Sequence, residues 1–391
     1  MFLLVLLTTY HTNPFRPGQP IDPKYFGGRR KELDIFEECL NYSSTGNLYH
    51  LAVMGERGIG KSSLLRKYDD LATDRGFLAV RRELDTMVDS INSLMEFMLY
   101  ALKASCTSIF SARMKASSRT RKFFQNYSLN VSIMGSGVSV QRQGRVSLLQ
   151  DVFYDEFARV WAEVKNEIPA IVFLLDEAER LQQIEGSWSF LRTLFTRFAE
   201  SNMNYMLVVA GKLDLFRGIR EIHSPMERFF LPLEIKEMVL DETREILERP
   251  MEAFQRKFKS DAVQKVYEKS GGHPYVVQTF GFFAFETGEK NLDARVFDSI
   301  VPVVMSRLSV QLFKERFDSA SPKEREILGG LAKLYGPSTP KSVSRICDVP
   351  LKTVWVALDR LVNKYCVNKV GRGNYSLFTP LFGEYVKATI Q

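Results

Sequence analysis

Residues 48–73 read LYHLAVMGERGIGKSSLLRKYDDLAT. An apolar run over residues 48–54 leads into the pattern G-x-x-x-x-G-K-S, which begins at Gly55 and ends at Ser62, and an apolar-periodic segment follows. This pattern between a buried strand and a helix is the setting in which a phosphate-binding loop forms. Glycines let the backbone turn tightly and approach an anion, and N–H groups at the helix start then point at phosphate oxygens. The stretch therefore predicts a P-loop.

The loop residues receive individual predicted roles. Lys61 is expected to reach the β- and γ-phosphates of a nucleotide, and the Ser62 hydroxyl is expected to bind Mg²⁺. A glycine-rich turn without chemical consequence is the alternative, but every fixed position of the pattern matches and both flanks have the right period. The predicted nucleotide-binding residues of the loop are Gly55, Glu56, Arg57, Gly58, Ile59, Gly60, Lys61, Ser62 and Ser63.

A second motif ends another apolar strand. Residues 171–177 read IVFLLDE, and such continuous apolar runs are typical of parallel strands that are buried on both faces. Asp176 is predicted to hold the Mg²⁺ shell, and Glu177 is predicted to orient and deprotonate the attacking water. A plain acidic turn is the alternative, and the P-loop earlier in the chain makes the catalytic interpretation the better one.

Strand-like and helix-like segments alternate through the first part of the chain. Apolar runs at residues 77–84, 171–177 and 205–210 are separated by amphipathic segments at 90–105, 148–164 and 188–200, which predicts a parallel α/β sheet. We therefore expect an α/β P-loop NTPase core over residues 1–232, with a basic insertion at about 106–147. From about residue 233 the pattern is helical only, which predicts an all-helical lid over residues 233–312.

Residues 318–391 have a different pattern. A capping-box start at Ser321, with Glu324 three residues later, opens the first of three predicted helices. Two short apolar segments then flank Gly-Arg-Gly at residues 371–373. Three helices and a hairpin in this order predict a winged helix-turn-helix.

The composition is that of a globular protein. The chain has 391 residues, of which 45% are hydrophobic and 25% charged, and it carries a net charge of +7. Four cysteines without C-x-x-C spacing predict buried free thiols in a reducing compartment. The apolar run at residues 2–7 lacks the charge and cleavage site of a signal peptide, and no stretch is expected to span a membrane. These features favour a cytoplasmic protein and exclude a disulfide-rich secreted one.

A long basic segment interrupts the predicted core. Residues 97–150 contain no Asp or Glu, and an alternating pattern at residues 127–140 predicts a hairpin within them. We expect the segment to bind a polyanion such as DNA, because phosphate neutralisation gives affinity that does not depend on sequence. A solvated insertion or a docking surface for an acidic partner is the alternative. The predicted DNA contacts here are Arg119, Arg121 and Lys122.

The predicted winged helix-turn-helix offers further DNA contacts. A recognition helix enters the major groove and a wing touches the backbone. We expect Trp355, Leu358 and Leu361 of this helix to lie in the core. DNA binding is preferred to a structural role or a protein partner. The candidate contacts are Lys352, Thr353, Arg360 and Lys364 on the helix, with Lys369 and Arg372 in the wing.

Four stretches together resemble a known family. They are Phe26-x-Gly28-Arg29-x-x-Glu32-Leu33, the P-loop, Leu175-Asp176-Glu177 and Ser270-Gly271-Gly272-His273-Pro274. Over about residues 13–391 the chain resembles the STAND and origin-recognition-like branch of AAA-type P-loop ATPases. It is most similar to the archaeal and bacterial ATPases that carry a C-terminal winged helix.

The resemblance implies a slow ATP-driven switch with ATP and Mg²⁺ as cofactors. It implies that Phe26, Gly28 and Arg29 close over the adenine, and that Pro274 lies in the lid near the base or ribose. Arg228 matches the place of a trans-acting arginine finger, which would require a homo-oligomer, although a surface arginine is an equal alternative. Initiator-type relatives also insert a DNA-contacting element where residues 97–150 lie.

Two departures from the family favour slow turnover. Ala210-Gly211-Lys212 stands where relatives place a polar sensor, so that Lys212 is the one candidate there, and no sensor arginine is evident in the lid. His273 has no ligand spacing, and we expect a structural role for it. The alternative function is a nucleotide-gated signalling or scaffold ATPase whose winged helix contacts a protein. A component of a defence or mobile-element system is a third possibility.

Overall fold

The computed structural model describes residues 13–112, 120, 122–124, 143–213, 215 and 226–390. The predicted hairpin at residues 127–140 and the apolar run at residues 2–7 lie outside these residues. The chain divides into two compact units. We call Arg29–Lys236 the core unit, and Met1–Gly28 together with Glu237–Gln391 the C-terminal unit.

The core unit is built on a five-stranded parallel sheet, which confirms the predicted α/β P-loop core. The strand order is β2-β3-β4-β1-β5, so that β1 lies in the interior of the sheet between β4 and β5. The carboxyl ends of parallel strands lie at one edge, and chain segments that leave those ends can therefore form one site. The strands are β1 (His50–Met54), β2 (Leu78–Glu83), β3 (Ile171–Asp176), β4 (Tyr205–Gly211) and β5 (Phe230–Glu234).

The strand sequences follow from their burial. Every residue of β1, β3 and β4 is buried, which is why these strands read as continuous apolar runs. The edge strand β5 buries two of its five residues, and its sequence is correspondingly mixed. Among the described residues, the helices of this unit are α1 (Arg30–Ser44), α2 (Lys61–Asp74), α3 (Ile91–Ala112), α4 (Gln143–Val164), α5 (Ser187–Glu200) and α6 (Met226–Phe229).

Two helices are longer than the sequence pattern predicts. The helix α3 continues past residue 105, and α4 begins before residue 148. Ser and Thr compete with helical hydrogen bonding, so the polar stretch after residue 104 reads as a helix end. Cys106 is nevertheless fully buried in the core, and tertiary packing of this kind outweighs local propensity.

The C-terminal unit is mainly helical. Its helices are α7 (Leu240–Glu252), α8 (Ser260–Ser270), α9 (Pro274–Glu286), α10 (Ala294–Leu308), α11 (Lys314–Ser319), α12 (Pro322–Leu334), α13 (Pro340–Cys347), α14 (Leu351–Asn363) and α15 (Pro380–Ile390). The predicted all-helical lid also contains two short parallel strands, β6 (Lys257–Phe258) and β7 (Asn291–Leu292). The strands β8 (Val367–Lys369) and β9 (Tyr375–Leu377) form an antiparallel hairpin after α14.

Local signals explain several of these elements. The predicted capping box is confirmed, because the Ser321 hydroxyl accepts from the Glu324 amide and the Glu324 carboxylate accepts from the Ser321 amide. The final helix α15 was not predicted, since the Pro380 that opens it reads equally well as a turn. The cysteines are free thiols as predicted; Cys39, Cys106 and Cys366 are buried and Cys347 is half-buried.

Among the described residues, one helical run has the length and composition that a membrane span needs, which corrects the expectation that no stretch reaches that length. It covers Ala294–Ser319, 26 residues with a mean hydropathy of 1.4 in its most apolar window. The sequence pattern ends this helix at Leu308, whereas the structure continues it through a π-helical segment, Ser309–Phe313, into α11. Phe297, Val304 and Phe313 pack in the core of the C-terminal unit. Length and composition alone do not separate a membrane span from such a core helix.

A buried histidine in the central strand accepts a hydrogen bond from the neighbouring strand. His50 Nδ1 lies 3.0 Å from the Leu207 amide, which donates to it, and the ring packs between Phe229 and Phe195. Burial disfavours the charged imidazolium and lowers the pKa of His50 to about 3. The folded chain therefore holds His50 neutral at pH values where the unfolded chain protonates it.

This difference predicts a loss of stability in mild acid. Because the unfolded state binds the extra proton below its ordinary pKa of 6.5, the free energy of unfolding should fall by about 1.4 kcal/mol per pH unit between that pH and about 3. The change His50→Asn keeps an acceptor near Nδ1 and should remove this part of the slope. Urea unfolding of both proteins at a series of pH values measures it, and parallel slopes would contradict the assignment.

Candidate nucleotide-binding site

The P-loop joins the end of β1 to the start of α2. Residues 55–60 form the turn, and Lys61 is the first residue of the helix. Gly60 has a φ of 101°, in the left-handed region that side chains rarely adopt, and an added Cβ there would meet no atom within 4 Å. The space beside the first helical N–H groups is therefore open to a ligand. Such a helix start binds anions through its N–H groups and its dipole.

The first glycine of the loop is needed for packing. An added Cβ on Gly55 would lie 2.8 Å from both Ile235 Cγ1 and Ile59 Cγ2, and neither contact is tolerable. The Gly55 amide donates to the Gly211 carbonyl of β4 at 3.2 Å. The loop therefore leaves the sheet at a position that is determined by both neighbouring strands.

The P-loop lysine lies over the loop itself. Lys61 Nζ donates to the carbonyl oxygens of Gly55 and Glu56, each at 2.9 Å. Burial lowers the pKa of Lys61, while the negative charges of Glu179 and Asp176 oppose that shift. The ammonium group thus lies between the phosphate loop and a set of carboxylates.

Those carboxylates follow β3. Asp176 is the last residue of the strand and is only 7% exposed, and its Oδ1 accepts from the Glu177 amide at 3.0 Å. Glu177 has a φ of 53°, a left-handed conformation that turns the chain away from the sheet. Burial and then the neighbouring carboxylates of Glu179 and Asp176 raise the pKa of Glu177. An elevated carboxyl pKa of this kind is typical of a general base.

Two further charged residues belong to this cluster. Glu179 Oε1 lies 3.6 Å from Lys212 Nζ, which follows β4 directly. The Glu179 side chain is 16% exposed, whereas the Lys212 side chain is 45% exposed. Glu179 was not predicted as a site residue. The sequence could have identified Glu179 through its position in the run Asp-Glu-Ala-Glu, two residues beyond Glu177.

A buried arginine supports the P-loop through a hydrogen bond to its backbone. Arg29 Nη2 donates to the Ile59 carbonyl at 3.0 Å, and Arg29 Nη1 lies 3.4 Å from the Glu32 carboxylate. The Glu32 carbonyl in turn accepts from the Tyr68 hydroxyl at 2.8 Å. This chain of contacts ties α1 and α2 to the loop, so the Arg-x-x-Glu spacing has a structural role in addition to its predicted nucleotide contact.

The other residues predicted to bind the base lie in the C-terminal unit. The Gly28 amide donates to Glu245 Oε2 at 3.0 Å, and the Phe26 carbonyl accepts from Arg249. Pro274 is the first residue of α9 and is buried. The structure places Phe26 and Gly28 against α7, and their contact with adenine remains a prediction.

The comparisons with known proteins agree with this architecture. Residues 25–209 match a family model described as "AAA ATPase domain". The match includes the P-loop and the Asp176-Glu177 motif and extends into β4. Over these 185 of its 391 residues the chain is similar to an AAA ATPase domain.

The fold of the chain is similar to that of two archaeal proteins of known structure. The Walker-type ATPase PABY2304 of Pyrococcus abyssi has a TM-score of 0.60 at 16% identity, covering 93% of this chain and 96% of its own. The ORC2 protein of Aeropyrum pernix, solved as ADPNP–ADP complexes, has a TM-score of 0.60 at 15% identity, covering 96% and 97%. At these identities the likeness shows the fold alone.

Two further sequence matches include residues beyond 209. The protein named "Uncharacterized HTH-type transcriptional regulator MJ0774" of Methanocaldococcus jannaschii is 22% identical over 379 residues, covering 93% of this chain and 88% of its own. Residues 310–386 match a family model described as "Domain of unknown function (DUF8462)". The region predicted to be a winged helix-turn-helix thus has a family model of its own.

Several predicted residues remain untested by the geometry. Arg228, in the short helix α6 that follows a gap in the described residues, is exposed, and its role as an arginine finger stays a prediction. Arg119 and Arg121 lie outside the described residues, while Lys122 is exposed. Within the parts of the chain that the structure describes, no three His, Cys, Asp or Glu side chains form a metal site.

The C-terminal candidates for DNA contact differ in their surroundings. Lys352, Arg360 and Arg372 are exposed. Lys364 Nζ instead lies 2.6 Å from the Glu324 carboxylate and donates to the Ser319 carbonyl at 2.8 Å. Lys364 therefore joins the end of α14 to the start of α12, and its predicted DNA contact would have to compete with this pair.

The acidic partner of this pair is almost completely buried. Burial by itself would raise the pKa of Glu324, but hydrogen bonds from Lys364 and from the Ser321 amide lower it overall. Glu324 is 3% exposed. A buried carboxylate that loses its counter-charge costs far more than an exposed one.

One expected core residue is at the surface. Leu358 and Leu361 are fully buried as predicted, whereas Trp355 is 41% exposed. The helix α14 buries Val354, Ala357, Leu358 and Leu361, and Trp355 lies outside this buried set. Helical periodicity alone assigns a large aromatic residue to the apolar side, and here that assignment is wrong.

We predict that Lys364 stabilises the fold. Lys364→Gln should lower the free energy of unfolding by about 1–3 kcal/mol, because it leaves the Glu324 carboxylate buried without a cation. The double variant Glu324→Gln/Lys364→Gln should recover part of this loss. Urea unfolding measures both, with Lys352→Gln as an exposed control. A Lys364→Gln protein that is as stable as the control would contradict the structural role.

Proposed function

We propose that this chain binds ATP with Mg²⁺ and hydrolyses it slowly to ADP and phosphate, as an AAA-type molecular switch. The observation that carries the proposal is the position of Lys61, which follows the open P-loop and lies among the carboxylates that end β3. Phosphoryl transfer requires a phosphate-binding helix start, a metal-binding carboxylate and a base close to one another, and this site offers a candidate for each.

The roles follow from the chemistry of each group. The loop amides and Lys61 hold the phosphates, which requires Lys61 Nζ to leave the Gly55 and Glu56 carbonyls. Ser62 and Asp176 supply oxygen ligands of the kind that Mg²⁺ prefers. When bound, Mg²⁺ neutralises negative charge on the phosphate oxygens. Glu177, whose raised pKa suits a base, takes a proton from the attacking water.

Slow turnover is consistent with the end of β4. Lys212 stands where relatives place a polar sensor, and it is paired with Glu179 at 3.6 Å. We propose that Phe26, Gly28, Arg29 and Pro274 contribute to binding the base, and that Arg228 acts on a neighbouring copy. The proposed switch alternates between nucleotide states, and turnover resets it.

We predict different effects for two site variants. Lys61→Ala should lose ATP binding, because the phosphates lose their cation. Glu177→Gln should retain ATP binding and lower turnover by at least about 100-fold, because the amide cannot accept the proton. ATP retention on a filter and phosphate release measure the two effects.

The matched control is Glu200→Gln, an exposed residue at the end of α5. It should have wild-type turnover and wild-type ATP retention. A Glu177→Gln protein that hydrolyses ATP at the control rate would show that the base has been assigned to the wrong residue.

We further propose that the switch binds DNA. Residues 97–150 carry eight lysines and arginines and no acidic residue. Three helices followed by an antiparallel hairpin, α12 to β9, have the order of a winged helix-turn-helix. The name of the M. jannaschii relative, an HTH-type transcriptional regulator, supports the same proposal. Lys352, Arg360 and Arg372 are the exposed cations there that could contact phosphates.

The basic segment should give DNA affinity a steep salt dependence. Arg119→Gln/Arg121→Gln/Lys122→Gln should reduce the slope of log K against log salt by about 0.9 for each phosphate contact that is lost. Duplex binding by fluorescence anisotropy across a salt series measures the slope. Neutralising Lys31, Lys257 and Lys290, which are exposed elsewhere, is the matched control. Equal slopes for the two triple variants would contradict the assignment.

The second candidate function is a nucleotide-gated signalling ATPase with a protein partner. The exposure of Trp355 on α14 favours it, because a helix that reads DNA edges needs polar side chains on its free face.

A further inference from the structure

Three large apolar side chains are exposed on α14, among polar and charged ones. Leu351, Trp355 and Val356 are 43%, 41% and 46% exposed. Leu351 and Trp355 are four residues apart and therefore neighbours on the helix surface, and Val356 follows Trp355 directly. We call these three residues the α14 face. The Trp355 ring also meets the buried Tyr375 ring of β9 edge to face, with centroids 6.0 Å apart, so one side of Trp355 rests on the hairpin.

The core of the C-terminal unit does not need these side chains. Val354, Leu358 and Leu361 fill the buried side of α14 and belong to the hydrophobic cluster. None of the three residues of the α14 face is a member of that cluster, although Trp355 contacts its member Tyr375. Exposed apolar groups of this size, grouped on one helix, are typical of an interaction site.

The charges around the face are mainly positive. From residue 351 to residue 377 the sequence holds one acidic residue, Asp359. Lys352 and Arg360 are exposed on the same helix, and Lys369 and Arg372 are exposed on the hairpin. An apolar centre with cations around it is complementary to an apolar surface that is bordered by carboxylates.

We propose that the α14 face docks an acidic, amphipathic segment of a protein partner, with Trp355 as its central anchor. This surface goes beyond the proposed ATP hydrolysis and does not depend on it. It deepens the second candidate function, and it competes with the DNA contacts proposed above for Lys352, Arg360 and Arg372, so that DNA binding would be left to the basic segment of residues 97–150.

The chemistry of the α14 face favours a protein surface over the DNA major groove as its partner. The groove floor presents hydrogen-bonding edges, which polar side chains read, and offers apolar contact mainly through thymine methyl groups. Leucine and valine offer nothing to those edges. Against apolar side chains, in contrast, each Å² removed from water contributes about 25 cal/mol. Tryptophan is also enriched among the residues that dominate protein–protein affinity.

The distribution of tryptophans provides the measurement. The chain has three, of which Trp161 and Trp188 are 7% and 5% exposed. Acrylamide quenching of fluorescence therefore reports almost entirely on Trp355. The first probe is a synthetic amphipathic peptide of about five helical turns, with leucines on one face and glutamates on the other. The second is a scrambled peptide of the same composition, and the third is a short DNA duplex; no nucleotide is added.

We expect the amphipathic peptide to protect Trp355 from quenching and the other two probes to leave it accessible. Leu351→Ser should weaken peptide binding about tenfold, measured by anisotropy of a labelled peptide. Lys352→Glu/Arg360→Glu should weaken it by at least a similar factor and reduce the part of the affinity that salt screens. Val310→Ser, a change at a residue 76% exposed elsewhere in the same unit, is the matched control and should bind normally.

Three results would overturn the proposal. Protection by the duplex alone would assign the face to DNA. Equal protection by the scrambled peptide would show that the face binds apolar side chains without specificity. No protection by any probe would show that the face is not a binding site. Because the variants change exposed side chains, unchanged thermal unfolding is expected, and it separates lost binding from lost folding. A failure of ATP hydrolysis would leave all of these outcomes unaffected.

Discussion

The constraint on which the core unit depends is the fixation of the P-loop carbonyl groups. Lys61 donates to the carbonyls of Gly55 and Glu56, and Arg29 donates to that of Ile59. The Gly55 amide is held by Gly211 of the neighbouring strand. The contacts from Arg29 and Gly211 can hold the loop when Lys61 turns to a phosphate, and the N–H groups at the start of α2 then bind the anion. A preorganised loop of this kind loses little entropy when a ligand binds.

The same constraint explains how the carboxylates come close to the loop. The strand β4 lies between β3 and β1, so Asp176 and the P-loop leave the same edge of the sheet although they are far apart in the chain. Lys212 follows the intervening strand and reaches Glu179 there. Opposite charges thus meet over the carboxyl ends of three neighbouring strands. Burial lowers the pKa of Lys61 against the opposing field of these carboxylates, and burial together with the neighbouring carboxylates raises the pKa of Glu177.

The C-terminal unit shows why a charged residue cannot be assigned to a partner from its type alone. Lys364 and Arg360 both lie near the end of α14, and the sequence pattern assigned both to DNA. Lys364 pairs with the buried Glu324, whereas Arg360 is exposed. This difference in surroundings depends on how α12 and α14 pack, and the periodicity of the local sequence does not reveal it. Trp355 is the converse case, an aromatic residue that the packing leaves at the surface.

The sequence by itself determined the P-loop, the strand-end carboxylates and the parallel α/β class, because each depends on local residue spacing and on strands buried on both faces. It also determined the capping box of α12, whose hydrogen bonds join residues three apart. Only the tertiary structure decided the support of the loop by Arg29, the pairing of Glu179 with Lys212, and the exposure of the α14 face. Each of these depends on which elements become neighbours, and long-range packing is not encoded in any short stretch of the chain.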